Sequence, residues 1–368
     1  MSPLEEEIHA LIDAQGPMSV ADFMNICLTH PEYGYYTTGT PVGGRASAQR
    51  SGGDFITAPE VSQMFGELIG VWCMEVWQAL GRPDPFNLVE IGPGRGTLMA
   101  DLLRVAKAMP GFLPAAKISL VEVSPTLAEQ QSLTLSKHNA HIQWVRSISD
   151  LPDMPTILVG NEFLDALPFQ QWIKTAEGWM ERCITSADNA LRFTTRAGTL
   201  RDELLPPDHE EQTLGAIFET SPQREGFVHS LADRIYKHQG AALLIDYGHL
   251  QTGFGDTFQA LRDHAYVDVL SDPGTADLTS HVDFEALVKQ AIEAGCIAPE
   301  PTSQGAFLLS LGLLERAGAL GADQTQFVRD KLTAAVNRLA GADQMGNLFK
   351  VMAFGAPASL GERWPGFE

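Results

Sequence analysis

Two hydrophobic periods divide the chain. From about residue 86 onward, short unbroken apolar runs recur between polar or glycine-rich turns: Asn87 to Ile91, Ile118 to Val123, Ile142 to Val145, Thr156 to Gly160 and Ala241 to Ile245. Runs this short, without polar alternation, predict strands buried on both faces. Between them, apolar residues return at helical spacing, over about Thr97 to Met109 and again from Thr126. Strands alternating with helices predict parallel βαβ units. A last strand is expected over Leu348 to Phe354. Ahead of this core, Leu4 to Asp13 reads as an amphipathic helix ended by Gln15-Gly16-Pro17. Ser19, with Asp22 at the third helical position, predicts a second helix with an approximate capping box. Pro59 to Leu80 reads as one long helix.

The alternation breaks between the fourth and fifth strands, where the residues from about 172 to 238 are too many for one crossover. Trp172-Ile173 and Trp179 to Ile184 predict extra strands there, Pro206-Pro207 a loop, and Asp233 to His238 the end of a helix. This segment is expected to be an insertion built on the core. Asp283 to Gly295 predicts a further helix, and a helical insertion is expected over about 308–339. The expected organisation is a helical N-terminal extension and lid over 1–85, followed by a core over 86–368. The glycine-rich stretch from Gly43 to Gly53 is irregular, and such loops are often functional.

Composition narrows the class. Of 368 residues, 44% are apolar and 19% charged, which is globular rather than disordered. Forty-six acids against 25 bases give a net charge of −21. That surface repels nucleic acid and anionic membranes, and suits a protein partner rich in arginine or lysine. Cys27, Cys73, Cys183 and Cys296 have neither zinc nor redox spacing and read as reduced, buried thiols. The acidic start Met1-Ser-Pro-Leu-Glu-Glu-Glu-Ile lacks secretory or presequence character, and no apolar run reaches membrane-spanning length. A cytoplasmic protein is expected.

The first core strand runs into Gly92-Pro93-Gly94-Arg95-Gly96. Glycines let a ligand approach the backbone closely, and the following helix N-terminus offers free amides. Dinucleotide sites want a third glycine where Thr97 stands. Glu90, two residues before the turn, would repel a pyrophosphate but tolerates a cation. Glu122, ending the second strand, can accept both hydroxyls of a ribose, whichever cofactor carries it. The pattern points to S-adenosylmethionine (SAM), whose sulfonium and amino groups are cationic, over NAD.

The chain resembles the MidA-like family of SAM-dependent methyltransferases, which includes a mitochondrial complex I assembly factor. The resemblance rests on Pro31-Glu-Tyr-Gly-Tyr-Tyr36, Gly53-Asp-Phe-Ile-Thr-Ala-Pro-Glu-Val-Ser-Gln-Met-Phe-Gly-Glu-Leu68, Val89-Glu-Ile-Gly-Pro-Gly-Arg-Gly-Thr-Leu98 and Asn161-Glu-Phe-Leu-Asp-Ala-Leu-Pro168. Ile245-Asp-Tyr-Gly-His249, the stretch from Asp268 to Thr279 and Gln344-Met-Gly-Asn-Leu-Phe-Lys-Val-Met352 extend it over nearly the whole chain. It implies a class I methyltransferase fold, Rossmann-like, with a seven-stranded mostly parallel sheet. It also implies arginine N-methylation, as symmetric dimethylation, of a complex I core subunit during assembly. The bacterial members share these motifs.

An arginine substrate needs carboxylates to grip the guanidinium and take a proton. Glu162 and Asp165, just past the fourth strand, are the candidate catalytic pair. They share one face if that turn is helical, and the alternative is a capping pair. Candidate cofactor residues are Glu90, Gly92, Pro93, Gly94, Gly96, Glu122, Ser147, Ile148 and Asp54. Ser147 and Ile148 follow the third strand, where an adenine would be bracketed. Asp54, Thr57, Glu60 and Gln63 form either a lid or helix caps. Asp246, Tyr247 and His249 follow the fifth strand, while Tyr33, Tyr35 and Tyr36 pack a turn or a substrate. A NAD-type oxidoreductase, a non-enzymatic SAM-binding assembly factor and a small-molecule methyltransferase are the competing readings.

Overall fold

The computed structural model describes residues 1–37, 57–138, 140–263, 265–356 and 364–367. Seven strands lie along one path of the central sheet: β1 (Phe86–Ile91), β2 (Ala116–Val121), β3 (Ile142–Val145), β4 (Thr156–Asn161), β5 (Gly240–His249), β6 (Thr302–Ser303) and β7 (Phe349–Gly355). Their order is β3-β2-β1-β4-β5-β7-β6, and a two-residue strand, Val282–Asp283, branches off this path. The pairs from β3 to β5 are parallel, and β7 alone runs against the other six. The expected seven-stranded, mostly parallel sheet is therefore present. Strands β1, β4 and most of β5 are buried on both faces, which is why they read as unbroken apolar runs. The order reverses between β1 and β4, and a crevice beyond the carboxyl ends of such strands is where open α/β sheets bind ligands.

Sheet and helices share one apolar core, which includes Trp72, Phe65, Phe86, Phe112 and Phe307. Beneath the helix Gln63–Ala79, Glu67 is 3% exposed and anchors two guanidiniums, Arg104 at 3.0 Å and Arg316 at 2.7 Å. The single helix expected over Pro59 to Leu80 is in fact two, Ala58–Val61 and Gln63–Ala79. The break is Ser62, which is extended and turns its hydroxyl to accept from the Met64 amide, starting the second helix afresh. Strand β5 runs past Ile245 because β7 pairs it as far as Tyr247↔Phe349, so a polar stretch expected to follow the strand lies within it.

The chain forms two compact units whose boundaries cross the division expected at residue 85. The central sheet belongs with Ile56–Phe163, Phe227–Leu250 and Asp283–Glu368, and the other unit gathers Met1–Phe55, Leu164–Gly226 and Gln251–Val282. The helices Ala58–Val61 and Gln63–Ala79 thus sit with the core and not with the N-terminal helices.

In the second unit the helices Pro3–Gln15 and Val20–Thr29 match expectation, with Ser2 and Ser19 as N-caps. Leu4, Ile8 and Ile12 form the buried stripe of the first helix. They pack in a core with Phe23, Phe169 and Ile184. An antiparallel five-stranded sheet contains the predicted extra strands as Gln170–Thr175 and Gly178–Ala187. It adds Ala190–Arg196 and Ile217–Thr220, and a three-stranded sheet forms over Gln259–Arg262, Ala265–Val267 and Asp277–Thr279.

Candidate active site

Strand β1 delivers its carboxyl end into the glycine turn. Gly92, Gly94 and Gly96 take φ of 62°, 50° and 80°, a region that side chains rarely occupy. A Cβ at Gly94 would meet nothing within 4 Å, so the backbone there lies open to a ligand. A Cβ at Gly96 would sit in ordinary van der Waals contact with Gln131, whose Cα is 3.4 Å away, so it is the φ of 80° that favours glycine there. Gly96 caps the helix Thr97–Val105 without any side-chain bond, so its first-turn amides have no side-chain cap. Pro93 is buried beneath the turn, and its carbonyl accepts from the Gly96 amide at 2.8 Å.

Glu90 is buried at 3% exposure, and its Oε2 has no hydrogen-bond partner among the described residues. Burial pushes its carboxyl up to about 8, against a weaker opposing backbone hydrogen bond from Met99. At neutral pH it is therefore mostly protonated, where the sequence implied a fixed negative charge beside the turn. Glu122 follows β2 and is half-buried. Its Oε1 accepts from the Ser124 amide at 2.8 Å and its Oε2 from the Gln131 side chain at 2.9 Å. A carboxylate has about four acceptor positions, so both oxygens keep capacity for ribose hydroxyls.

Gln131, which the sequence did not single out, joins the two parts of this candidate site. Fully buried, it donates to the Gly94 carbonyl at 2.8 Å as well as to Glu122, and its Oε1 accepts from the Trp144 indole at 2.8 Å. It thereby ties the glycine turn to the strand-end acid. A signal was present, since Gln131 lies between Leu127 and Leu135 on the buried stripe of the helix Pro125–Leu135. A polar side chain on such a stripe needs buried partners.

At the end of β4, Glu162 adopts φ of 51°, strained for a glutamate. Its Oε1 accepts from the Asn161 side chain at 2.8 Å and from the Ala58 amide at 3.3 Å. Asp246 is fully buried and accepts from the Phe163 amide at 3.1 Å, which fixes the bend from behind. The chain from Glu162 onward is a bend and turn, not a helix, so the shared helical face expected for Glu162 and Asp165 does not form. The left-handed φ of 51° at Glu162 supplies the physical reason, because a residue in that region cannot belong to a right-handed helical turn. Asp165 belongs to the other unit, buried at 6% exposure, with its carbonyl bonded to Arg224.

The remaining candidates take mixed places. Glu60 accepts from the Thr97 hydroxyl at 2.5 Å, so Thr97, which breaks the dinucleotide pattern, holds the helix Ala58–Val61 to the turn. Thr57 precedes that helix without a side-chain cap bond, and Gln63 bonds Glu67 at 3.3 Å. Ser147 and Ile148 are half-buried after β3, where Ser147 heads a short turn through bonds with Asp150 and Ser149. His249 lies 4.0 Å from Asp283, and Tyr247 packs edge-on against Phe349. In the other unit Tyr33 stacks on His30, Tyr35 is buried, and Tyr36 donates to Asp277 at 2.9 Å. Asp54 lies outside the described residues.

Residues 68–302 match the model of a family described as "Putative S-adenosyl-L-methionine-dependent methyltransferase". The chain belongs to this family. It is a SAM-dependent methyltransferase, and its cofactor is SAM. It is 36% identical to the zebrafish (Danio rerio) protein named protein arginine methyltransferase NDUFAF7, mitochondrial, covering 96% of this chain and 86% of that one. The human (Homo sapiens) protein of the same name is 34% identical over 96% of this chain and 83% of its own length. A "likely methyl transferase" from Burkholderia thailandensis, solved with S-adenosyl-homocysteine bound, superposes with a TM-score of 0.83 at 28% identity, over 99% of this chain and 92% of that one.

The site of this methyltransferase fits the cofactor on its own terms. The open backbone at Gly94, the spare acceptors of Glu122 and the unmatched buried oxygen of Glu90 are groups that a ligand bearing a ribose and an amino group can satisfy.

Proposed function

We propose that this methyltransferase is a protein arginine N-methyltransferase acting on a basic segment of another protein, by symmetric dimethylation. The observation that carries the reading is the likeness, along nearly the whole chain, to proteins named as protein arginine methyltransferases. A complex I core subunit is the target implied by the resemblance and the first to test. The net charge of −21 favours encounter with such a segment. Four buried, unpaired thiols suit a reducing compartment, so a cytoplasmic site of action is part of the proposal.

When bound, SAM supplies a methyl group on its sulfonium. In this reading Glu122 receives the ribose hydroxyls, the backbone of Gly92 to Gly96 and Glu90 receive the amino-acid end, and Ser147 and Ile148 flank the adenine. Glu162 accepts N–H bonds from the substrate guanidinium, drawing its positive charge towards the far nitrogens and leaving electron density on the one to be methylated. The methyl group would leave the sulfonium as it joins that nitrogen, and the nitrogen would then give up a proton. Asp165 is assigned to help take that proton.

The test is to incubate the protein with labelled SAM and host-cell extract and map the label by mass spectrometry. Label on arginine is expected, and label on lysine or on a small molecule overturns the reading. Glu162→Gln should lower turnover by ~100-fold or more with S-adenosyl-homocysteine binding intact. Unchanged turnover would remove Glu162 from the mechanism.

A further inference from the structure

Arg224 is 3% exposed, in the first turn of the helix Pro222–His238. Its guanidinium faces the turn that carries Asp165. Nη2 lies 3.0 Å from the Asp165 carbonyl, 3.1 Å from the Leu167 carbonyl and 2.7 Å from the Ser280 hydroxyl, and Nη1 donates to the His281 carbonyl at 2.8 Å. Two N–H groups on Nη2 are thus shared among three oxygens. Ser221, just before the helix, donates to the Pro168 carbonyl at 2.8 Å and accepts from the Arg224 amide at 3.3 Å. The carbonyls of residues 165, 167 and 168 are therefore all held from one helix start. Ser280 also donates its amide to the Asp165 carbonyl at 3.4 Å.

We propose that Arg224 is a positioning residue that fixes the Asp165 turn against residues 280–281 for methyl transfer. This rests on the reading that the turn takes part in the reaction. The residue type follows from the geometry. Four acceptors spread around one buried point need a planar fork of donors, which a lysine ammonium lacks and a glutamine amide cannot match in number. Bonds from a cation to neutral oxygens are also stronger than neutral ones, which stiffens the turn. A reacting group displaced by about 1 Å loses rate by ~100-fold, so a clamp of this kind would act on turnover and not on cofactor affinity.

Three measurements on the full chain test this. In Arg224→Lys, kcat should fall ~10- to 100-fold while KM for SAM stays within about twofold. Ser280→Ala, which removes one bond and keeps the cation, should lose less than ~5-fold. Hydrogen exchange of residues 164–169 should speed up by at least ~10-fold in Arg224→Lys, with residues 86–121 unchanged. If the wild-type protein fails to methylate arginine, the function proposed above falls while the exchange measurement still decides the clamp. Unchanged exchange at 164–169, or loosening spread evenly over the chain, overturns the positioning role. If Arg224→Lys does not fold, Ser221→Ala and Ser280→Ala together must show local exchange at 164–169, and its absence overturns the proposal equally.

Discussion

Glutamine in place of Glu90 isolates the cost of burying an acid at the foot of the glycine turn. Burial pushes the carboxyl from its ordinary value of 4.5 up to about 8 in the fold. Below pH 4.5 it is neutral in both states. Between 4.5 and 8 the unfolded chain has released the proton that the folded chain retains, so stability falls as pH rises through this window. At about 1.4 kcal/mol per pH unit the whole window corresponds to about 5 kcal/mol, and relaxation around the ionised group leaves about 2–4 kcal/mol as the expected loss. Glutamine keeps the shape and cannot ionise. Urea unfolding of both proteins without cofactor, at pH 5, 6, 7 and 8, provides the assay, since the difference between them cancels every other titrating group. The curves should nearly coincide at pH 5, and Glu90→Gln should be the more stable by about 2–4 kcal/mol at pH 8. A difference that stays flat across the range would refute the burial argument.

Other outcomes follow from the same geometry. Gly94→Ala, with open space for its methyl group, should cost about 1 kcal/mol of stability for its φ of 50° but abolish the thermal shift given by S-adenosyl-homocysteine. Gln131→Leu should destabilise by about 2–4 kcal/mol in denaturant, because the Gly94 carbonyl and the Trp144 indole lose their partner together, and should weaken cofactor binding in calorimetry. Glu67→Gln should cost about 1–3 kcal/mol by removing the carboxylate that Arg104 and Arg316 share, since both guanidiniums are half-exposed and Arg104 keeps Asp101 at 2.7 Å, with the affinity for S-adenosyl-homocysteine unchanged.

The parallel sheet was legible because its strands are buried on both faces and so carry no polar alternation. Ile142–Val145 and Thr156–Asn161 fall within a residue of their expected limits. The edge of β5 was not legible, because Asp246 and Tyr247 look like loop residues until β7 is laid beside them. The strands around 259–279 escaped for the same reason, being short, partly exposed and paired only through tertiary contact. Among the candidates, Glu90 stood out as an acid near the end of an apolar strand, and Glu122 and the glycines by following strands, but the protonation of Glu90 depends on packing that no local pattern encodes. Gln131 left a trace on a helical stripe. Arg224 left none, since its partners are mostly carbonyls far along the chain.

The left-handed backbone at Glu162 carries a consequence for how this chain tolerates change. Glycine or asparagine would occupy φ of 51° with less strain, at roughly 1 kcal/mol relative to an ordinary side chain. Selection for folding alone would therefore drift towards those residues at position 162. If Glu162 has the role proposed above, stability and turnover pull in opposite directions at this one residue. Libraries screened for heat resistance should recover Glu162→Asn or Glu162→Gly among folded, cofactor-binding, inactive variants, and a screen that returns only glutamate there would show that the Asn161 and Ala58 bonds to its carboxylate outweigh the backbone strain.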